Sequence, residues 1–245
     1  MREPKALAEV AGIPIIVRLI RTLTILDPHP AVVVSPKGNR PIEVCLRRHD
    51  LQAELLIQEA PLGMGDAVLR LKHSKEYPSI RDVLVVWGDQ PFVQITTLQR
   101  LLTLFHEQGH VMAFPSLLSD NCYTVVERDS EGRLLNLRER REVGPTLPLE
   151  GERDTGIFLF KKEPVIETLG SNSEHLIGQT TGESGFLPVV GILVSRGMSV
   201  EAYPIASDMD VQGFNTPEEL RRMSECGTPR EPCAADPGER RKTKC

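Results

Sequence analysis

Apolar residues along this chain follow two rhythms, short β-branched runs and longer stretches with apolar positions three and four apart. Ala31-Val32-Val33-Val34, bounded by Pro30 and Pro36, is the first run, and Leu55-Leu56-Ile57 is the second. Val83 to Trp87 is an unbroken apolar run ending in Gly88-Asp89-Gln90-Pro91, and Val111 to Phe114 is a fourth strand candidate. Helix patterns lie between them. Lys5 to Gly12 leads into a helix with Pro14 in its first turn and Ile16, Ile20 and Leu23 on one face, so the chain is expected to open with a helix and no strand. A second pattern surrounds Ile42, Cys45 and Leu46, and a third places Val68, Leu69 and Leu71 behind Gly63-Met64-Gly65. The fourth, from about Thr96 to His106, spaces Leu98, Leu101, Leu102 and Phe105 as one helix face. Strand and helix alternate with a period of about 25 residues, which predicts an α/β fold with a mostly parallel sheet and helices on both faces. Sites in such sheets lie at the carboxyl ends of the strands.

Beyond residue 120 the rhythm changes. Short strands at Tyr123 to Val126, Leu134 to Leu137 and Thr155 to Phe160 alternate with charged loops, as in an insertion that covers the sheet and receives a second ligand. A helix over Gly185 to Arg196, a strand at Val200 to Tyr203 and a last helix opened by Pro217-Glu218-Glu219-Leu220 complete a domain over residues 1–224. Residues 225–245, rich in Pro, Gly and charge, read as a disordered tail.

Composition narrows the function. The chain has 245 residues, 40% of them hydrophobic, enough for one continuous core. Its 34 acidic and 29 basic side chains give a net charge of −5, which argues against nucleic acid or an anionic membrane as a partner. Phosphate chemistry would need locally built positive charge. Five cysteines form no C-x-x-C pair and read as reduced thiols, and no apolar run reaches the ~18 residues of a membrane span, so the expectation is a cytoplasmic protein.

Several residues could carry chemistry. Asp89 follows an apolar strand and a glycine at the sheet's carboxyl edge, where it reads equally as a ligand for a hard cation such as Mg²⁺ or as part of a turn capping the next helix. Gly63-Met64-Gly65 could let the backbone approach a phosphate or base, although a lone G-x-G is more often a plain turn. Taken singly, Lys5 reads as a solvated lysine and Asn215 as a strand end or helix cap. Arg138 to Glu142 reads as a solvated face. The six histidines show no metal-ligand spacing, and neither a G-x-S-x-G elbow nor a G-x-x-x-x-G-K-[ST] loop occurs.

The order of the pieces is more informative than any one of them. Lys5-Ala6-Leu7 with Gly12-Ile13-Pro14, Gln58 with Leu62-Gly63-Met64-Gly65-Asp66-Ala67, Trp87-Gly88-Asp89-Gln90-Pro91, Asp154-Thr155-Gly156 and Gly213-Phe214-Asn215-Thr216 occur in one chain. Together they resemble the sugar-nucleotide pyrophosphorylases of the MobA-like nucleotidyltransferase superfamily, above all the uridylyltransferase domains that act on N-acetylglucosamine 1-phosphate. The resemblance runs from Lys5 to about Leu220. It implies a Rossmann-like sheet and transfer of a nucleotidyl group from a nucleoside triphosphate to a sugar 1-phosphate, with Mg²⁺ as cofactor. It further implies that Lys5 neutralises phosphate, that Gln58 and Gly63 hold the base, and that Trp87, Gly88 and Asp89 lie at the nucleotide. Asp89 and Asn215 would hold the metal. Glu139, Asp154 and Asn215 would line the sugar site, Asp154 standing where an asparagine is usual.

The sequence also departs from that family. Its members begin with a strand and an L-A-A-G-x-G-T-x-M loop ahead of the lysine, whereas here four residues precede Lys5, so a central first strand is expected to be missing. A start recorded downstream of the true one is the preferred explanation, with a remnant domain as the other. Thr124 stands for a glycine, Met64 for a smaller residue and Pro188 for an aspartate, and no hexapeptide repeat follows residue 224. Gly88-Asp89-Gln90-Pro91 is also usual in cytidylyltransferases that modify molybdopterin. A non-catalytic nucleotide-sugar-binding module is the remaining alternative.

Overall fold

The computed structural model describes residues 4–171 and 173–213. The chain begins with a 3₁₀ turn, Lys5–Leu7, and a small hairpin of β1 (Glu9–Val10) and β2 (Ile13–Pro14) before α1 (Ile15–Leu23). The hairpin corrects the expectation of an opening without strands. Ala11 and Gly12 both take positive φ, 50° and 73°, which suits a two-residue hairpin turn that periodicity does not register. There follow β3 (Ala31–Val34), α2 (Pro36–Arg48), β4 (Glu54–Ile57), α3 (Met64–Leu69), β5 (Asp82–Val86), α4 (Ile95–Gln108) and β6 (Met112–Ser119). Beyond these come β7 (Thr124–Arg128), β8 (Leu134–Glu139), α5 (Arg140–Val143), β9 (Gly151–Asp154) and β10 (Ile157–Lys161). Helices α6 (Lys162–Ser171), α7 (Ser173–Leu176) and α8 (Val189–Ser195) lead to β11 (Val200–Tyr203). The expected last helix at Pro217, the residue Asn215 and the expected tail lie outside the described residues.

The α/β class stands, and the sheets are mixed. The main sheet has the order β11-β6-β10-β5, with β9 pairing the outer half of β6. Strand β11 runs parallel to β6, whereas β10 is antiparallel to both β6 and β5. The reason is in the connections. Parallel strands need a crossover of a dozen or more residues, which α4 supplies between β5 and β6, and β10 lies between those two strands, antiparallel to both. Only Thr155 and Gly156 separate β9 from β10, so those strands form one bent antiparallel partner of β6. Gly156 has φ +73° at the bend.

Strands β3 and β4 form a separate parallel pair, and β7 and β8 an antiparallel hairpin over the sheet. The larger core packs Phe114, Phe158, Phe160 and Phe186 with α6 and α8 on one side of the main sheet. A second core sets α1 and α4 against the other side through Ile15, Leu98, Leu101 and Phe105. Helices therefore cover both faces, as expected. A third core, with Ile16, Val34, Ile42 and Leu46, ties α1 to β3 and α2.

Between β3 and β5 the sheet is interrupted. Strand β3 pairs only with β4, β5 only with β10, and among the described residues no strand pairs with their other edges. A cavity of about 980 Å³ lies there, bordered along the whole of both strands.

Candidate functional site

Two cavities meet at the carboxyl ends of β4 and β5. The large one is bordered at its mouth by Lys5, Gly88 and Asp89, and the smaller, about 350 Å³, by Gln58, Gly63, Trp87, Glu139 and Arg141. Met64, Ala67 and Trp87 line both. Seven of the nine residues singled out from the sequence, Lys5, Gln58, Gly63, Trp87, Gly88, Asp89 and Glu139, therefore surround one connected space.

Gln58 follows β4 directly. Its side-chain nitrogen donates to the Gly63 carbonyl and to an Asp66 carboxylate oxygen, each at 2.9 Å. Both neighbours are acceptors, so the amide orientation is fixed by the network and the carbonyl oxygen is left as Gln58's acceptor. Arg70 holds Asp66 from the other side at 2.5 Å. Gly63 has φ +98°, and a Cβ there would stand 2.5 Å from the Ser184 carbonyl oxygen. Ser184 closes this contact from both sides, donating its N–H to Leu62 and accepting from the Gly65 N–H. The G-x-G is thus a close approach between two backbones, segment 62–65 and segment 183–185.

The segment carrying Ser184 also reaches the opposite wall. Glu142 of α5 accepts from the Thr180 N–H at 3.0 Å and from the Thr181 hydroxyl at 2.9 Å. A strap over residues 178–185 thereby joins the Gln58 wall to the Glu139 wall. Glu139 ends β8 and pairs with Arg141 at 2.7 Å, a charge contact without hydrogen-bond alignment, since the Arg141 Nε–H lacks an aligned acceptor. Arg141 also approaches Glu183 at 3.5 Å. Arg141, Glu183 and Tyr123 are site residues that sequence reasoning missed. The run Arg138 to Glu142 looks like a solvated face until β8 and the strap turn part of it inward.

Strand β5 delivers Trp87 and Asp89. The Trp87 N–H donates to the Gly156 carbonyl at 3.2 Å, and a Cβ on Gly156 would stand 2.9 Å from the indole, so glycine lets the ring settle. Gln90, buried beside it, donates to the Thr155 carbonyl. Asp89 is half-buried, and among the described residues its carboxylate has no hydrogen-bond or ion-pair partner. No group of three metal-ligating side chains occurs among the described residues. One open carboxylate nonetheless fits Mg²⁺, which keeps most of its waters and takes its remaining ligands from substrate phosphates. The chain returns to this point at Gly213, where a Cβ would lie 3.5 Å from the Asp89 carbonyl oxygen. Asn215, the expected metal partner of Asp89, lies two residues beyond it and outside the described residues. Buried Asp210 anchors the start of α4 nearby, accepting from the Gln94 N–H at 2.8 Å and the Thr97 hydroxyl at 2.9 Å.

Asp154 is placed differently from a sugar contact. It is 2% exposed, beneath β7, and accepts from the Thr124 hydroxyl and, at 2.7 Å, from the Gly156 N–H. It does not line the small cavity. Its observed work is to hold the 154–156 bend against which Trp87 rests. Burial pushes its carboxyl above the usual carboxylate range, against the pull of those two donors. A carboxyl raised in the folded state loses stability as pH climbs from the ordinary value through the raised one. Asp154→Asn is therefore expected to melt above the parent at about pH 8, the gap closing as pH falls toward about 4. Thermal unfolding of both proteins across that range checks this, and a gap independent of pH would refute a buried ionisation at this position.

Comparison with known proteins gives the family and a likeness of fold. The family described as MobA-like NTP transferase domain matches residues 1–146. The bifunctional protein GlmU of Thermodesulfovibrio yellowstonii is 28% identical over 220 residues, covering 89% of this chain and 47% of that protein. GlmU of Pseudomonas aeruginosa is 28% identical over 212 residues, covering 86% of this chain and 45% of that protein. The chain thus spans about half the length of the curated relatives it matches. Among solved structures, HddC from Yersinia pseudotuberculosis superposes with a TM-score of 0.61 at 15% identity, covering 92% of this chain and 90% of that one, a likeness of fold.

Proposed function

The chain belongs to the MobA-like NTP transferase family, and from that premise we propose that it transfers a nucleotidyl group from UTP to a sugar 1-phosphate such as N-acetylglucosamine 1-phosphate. The observation that carries the reading is the meeting of the two cavities at Trp87. One mouth carries Lys5 and Asp89, suited to phosphates, and the adjoining pocket carries Gln58 and Glu139, suited to a base and a hydroxylated ring. The carbonyl oxygen of Gln58 would accept an N–H from the base, and Glu139 would accept sugar hydroxyls.

In the reaction, a phosphate oxygen of the sugar 1-phosphate attacks the α-phosphorus. The new P–O bond forms as the bond to the β-phosphate bridge breaks, and pyrophosphate leaves with the electron pair. Little acid or base catalysis is required, because a phosphate monoester with a second pKa of about 6 is mostly dianionic at neutral pH. The obstacle is repulsion between anions. Two unit charges about 4 Å apart cost roughly 4 kcal/mol at an effective dielectric of 20, equivalent to about a thousandfold in rate. Lys5 would offset part of this directly. Asp89 would hold Mg²⁺, which supplies the remaining positive charge when bound. Trp87, fixed on the 154–156 bend, would set the floor on which the two substrates meet.

The reading is tested with the 245-residue protein, Mg²⁺ and a panel of nucleoside triphosphates and sugar 1-phosphates, measuring pyrophosphate. Release is expected first with UTP and N-acetylglucosamine 1-phosphate. Preference for CTP with a pterin phosphate would move the reading to a cytidylyltransferase. Stabilisation by UDP-N-acetylglucosamine without turnover of any pair would leave a binding module instead.

A further inference from the structure

We propose that Asp210 is a positioning residue for Asp89. It fixes the loop that carries the open carboxylate against the segment that crosses beside it, and so sets how tightly the site takes Mg²⁺. The inference rests on the reading of Asp89 as the metal ligand. Strands β5, β6 and β11 point the same way, since β11 is parallel to β6 and β10 is antiparallel to both β5 and β6. The chain leaves β11 at Tyr203 and crosses β6 toward the end of β5. The Ala206 N–H donates to the Ser116 carbonyl of β6 at 3.2 Å, Asp210 reaches the start of α4, and Gly213 arrives at the Asp89 backbone.

Asp210 is wholly buried and accepts four hydrogen bonds. One oxygen takes the Gln94 N–H at 2.8 Å, and the other takes the Thr97 hydroxyl, the Ser207 N–H and the Ser207 hydroxyl, each at 2.9 Å. A carboxylate has about four acceptor sites, so none remains for a metal or a substrate. Asp89 is the opposite case, with its carboxylate open. A buried charge is costly unless donors surround it, and a helix start is ordinarily capped by the side chain of its own N-cap residue. Gln94, the N-cap of α4, supplies no such bond, and its side chain turns back to the Phe92 carbonyl at 2.6 Å. The cap comes instead from a residue 116 positions away. That bond joins the loop 88–94 and the segment 207–213 as one unit.

Between Asp89 and α4 the loop is held at two points, Gln90 on the Thr155 carbonyl and the Gln94 N–H on Asp210. Releasing the second leaves residues 91–94 hinged at Gln90, the neighbour of Asp89. Mg²⁺ demands near-ideal octahedral geometry, so a ligand whose support moves loses affinity. Loss of a group that supports a metal ligand typically costs about 10–100-fold in metal affinity.

The test uses variants of the full chain. Asp210→Asn keeps three of the four bonds when its oxygen stays on Thr97 and Ser207, and then sets its amide N–H groups against the Gln94 N–H. Gln94→Pro deletes the same tie from the other side, φ at Gln94 being −86°, near the proline value, and it serves where Asp210→Asn does not fold. Thr97→Val removes one bond to Asp210 and leaves the Gln94 tie in place. Metal affinity is read in two ways. Emission of Trp87, the single tryptophan of the chain, follows UTP binding at varied Mg²⁺, and electron paramagnetic resonance of Mn²⁺ gives the metal alone. Asp210→Asn and Gln94→Pro are expected to raise the metal concentration for half-saturation about tenfold and to leave UTP binding without metal near the parent's. Thr97→Val should lower the melting temperature and keep the parent's metal requirement. In an Asp89→Ala background, Asp210→Asn should add no further penalty, because it acts through Asp89. An unchanged metal requirement in both tie variants, an equal penalty in Thr97→Val, or a penalty that adds fully to that of Asp89→Ala would overturn the proposal. So would equal losses of UTP binding with and without metal. Any of these leaves Asp89 as the metal ligand, whereas a parent-like metal requirement in Asp89→Ala alone removes that reading and this inference with it.

Discussion

Asp89→Ala is expected to lower the rate of pyrophosphate release by about a thousandfold while leaving the melting temperature almost unchanged. The separation of the two effects follows from the environment of Asp89. A carboxylate that pairs with nothing among the described residues contributes little to the fold and is open to a metal. Asp89→Asn keeps the shape and loses the charge, so it should fall nearly as far. Mg²⁺ titrations of the parent and both variants, read by pyrophosphate release and thermal unfolding, distinguish the outcomes. Parent-like rates in Asp89→Ala would remove the metal role from this residue.

Arg128→Ala is expected to show the reverse pattern, a large loss of stability with the site chemistry intact in whatever fraction remains folded. Arg128 on β7 pairs with Glu152 on β9 at 2.7 Å, with Glu201 on β11 at 2.7 Å and with the Ala202 carbonyl at 2.7 Å. One side chain thus ties the covering hairpin to two strands of the main sheet. Removing it strands two carboxylates that are mostly shielded from water. Breaking a buried pair costs about 3–5 kcal/mol, and partial exposure brings the expectation to roughly 2–4 kcal/mol. That lowers the melting temperature by about 5–15 °C for a domain of this size. Burial alone would raise Glu152, but hydrogen bonds from Arg128 and Ser116 outweigh it and hold the carboxyl below its usual range. The parent gains stability from Glu152 above the ordinary carboxylate value of about 4.5 and loses it as pH falls through the lower folded one. The gap between parent and Arg128→Ala should therefore narrow in acid. Calorimetry at about pH 7 and about pH 3.5 checks this, and an equal gap at both would assign the loss to packing of the arginine stem.

Short runs set off by turn residues are the most legible elements. The runs at Ala31 and Val200 give β3 and β11 to the residue, and the Val83 and Leu98 patterns find β5 and α4 within two residues at either end. The β1–β2 hairpin was illegible because two-residue strands carry no periodicity. The run Thr155 to Phe160 concealed a bend, since a glycine at positive φ inside an apolar segment reads as part of the strand. The site divides in the same way. Asp89 stood out locally as a carboxylate after an apolar strand and a glycine, whereas Gln58 entered only through the resemblance. Arg141 and Glu183 were not visible, because they converge only through the strap, and no local pattern records a meeting between distant segments. Asp154, expected at the sugar site, lies buried beneath β7 and outside the lining of the small cavity. A carboxylate beneath a strand has the same spelling as one facing a ligand.

The strap at residues 178–185 also sets a limit on evolvability. Hydrogen bonds fasten it to the Gln58 wall at Ser184 and to the Glu139 wall at Glu142. The two walls therefore behave as one frame of fixed width. A descendant of this chain that took a bulkier acceptor would have to gain room by trimming Tyr123, Met64 or Arg141, because sliding one wall would break the ties at both ends. Substrate range in such a lineage should change in single steps at those three positions.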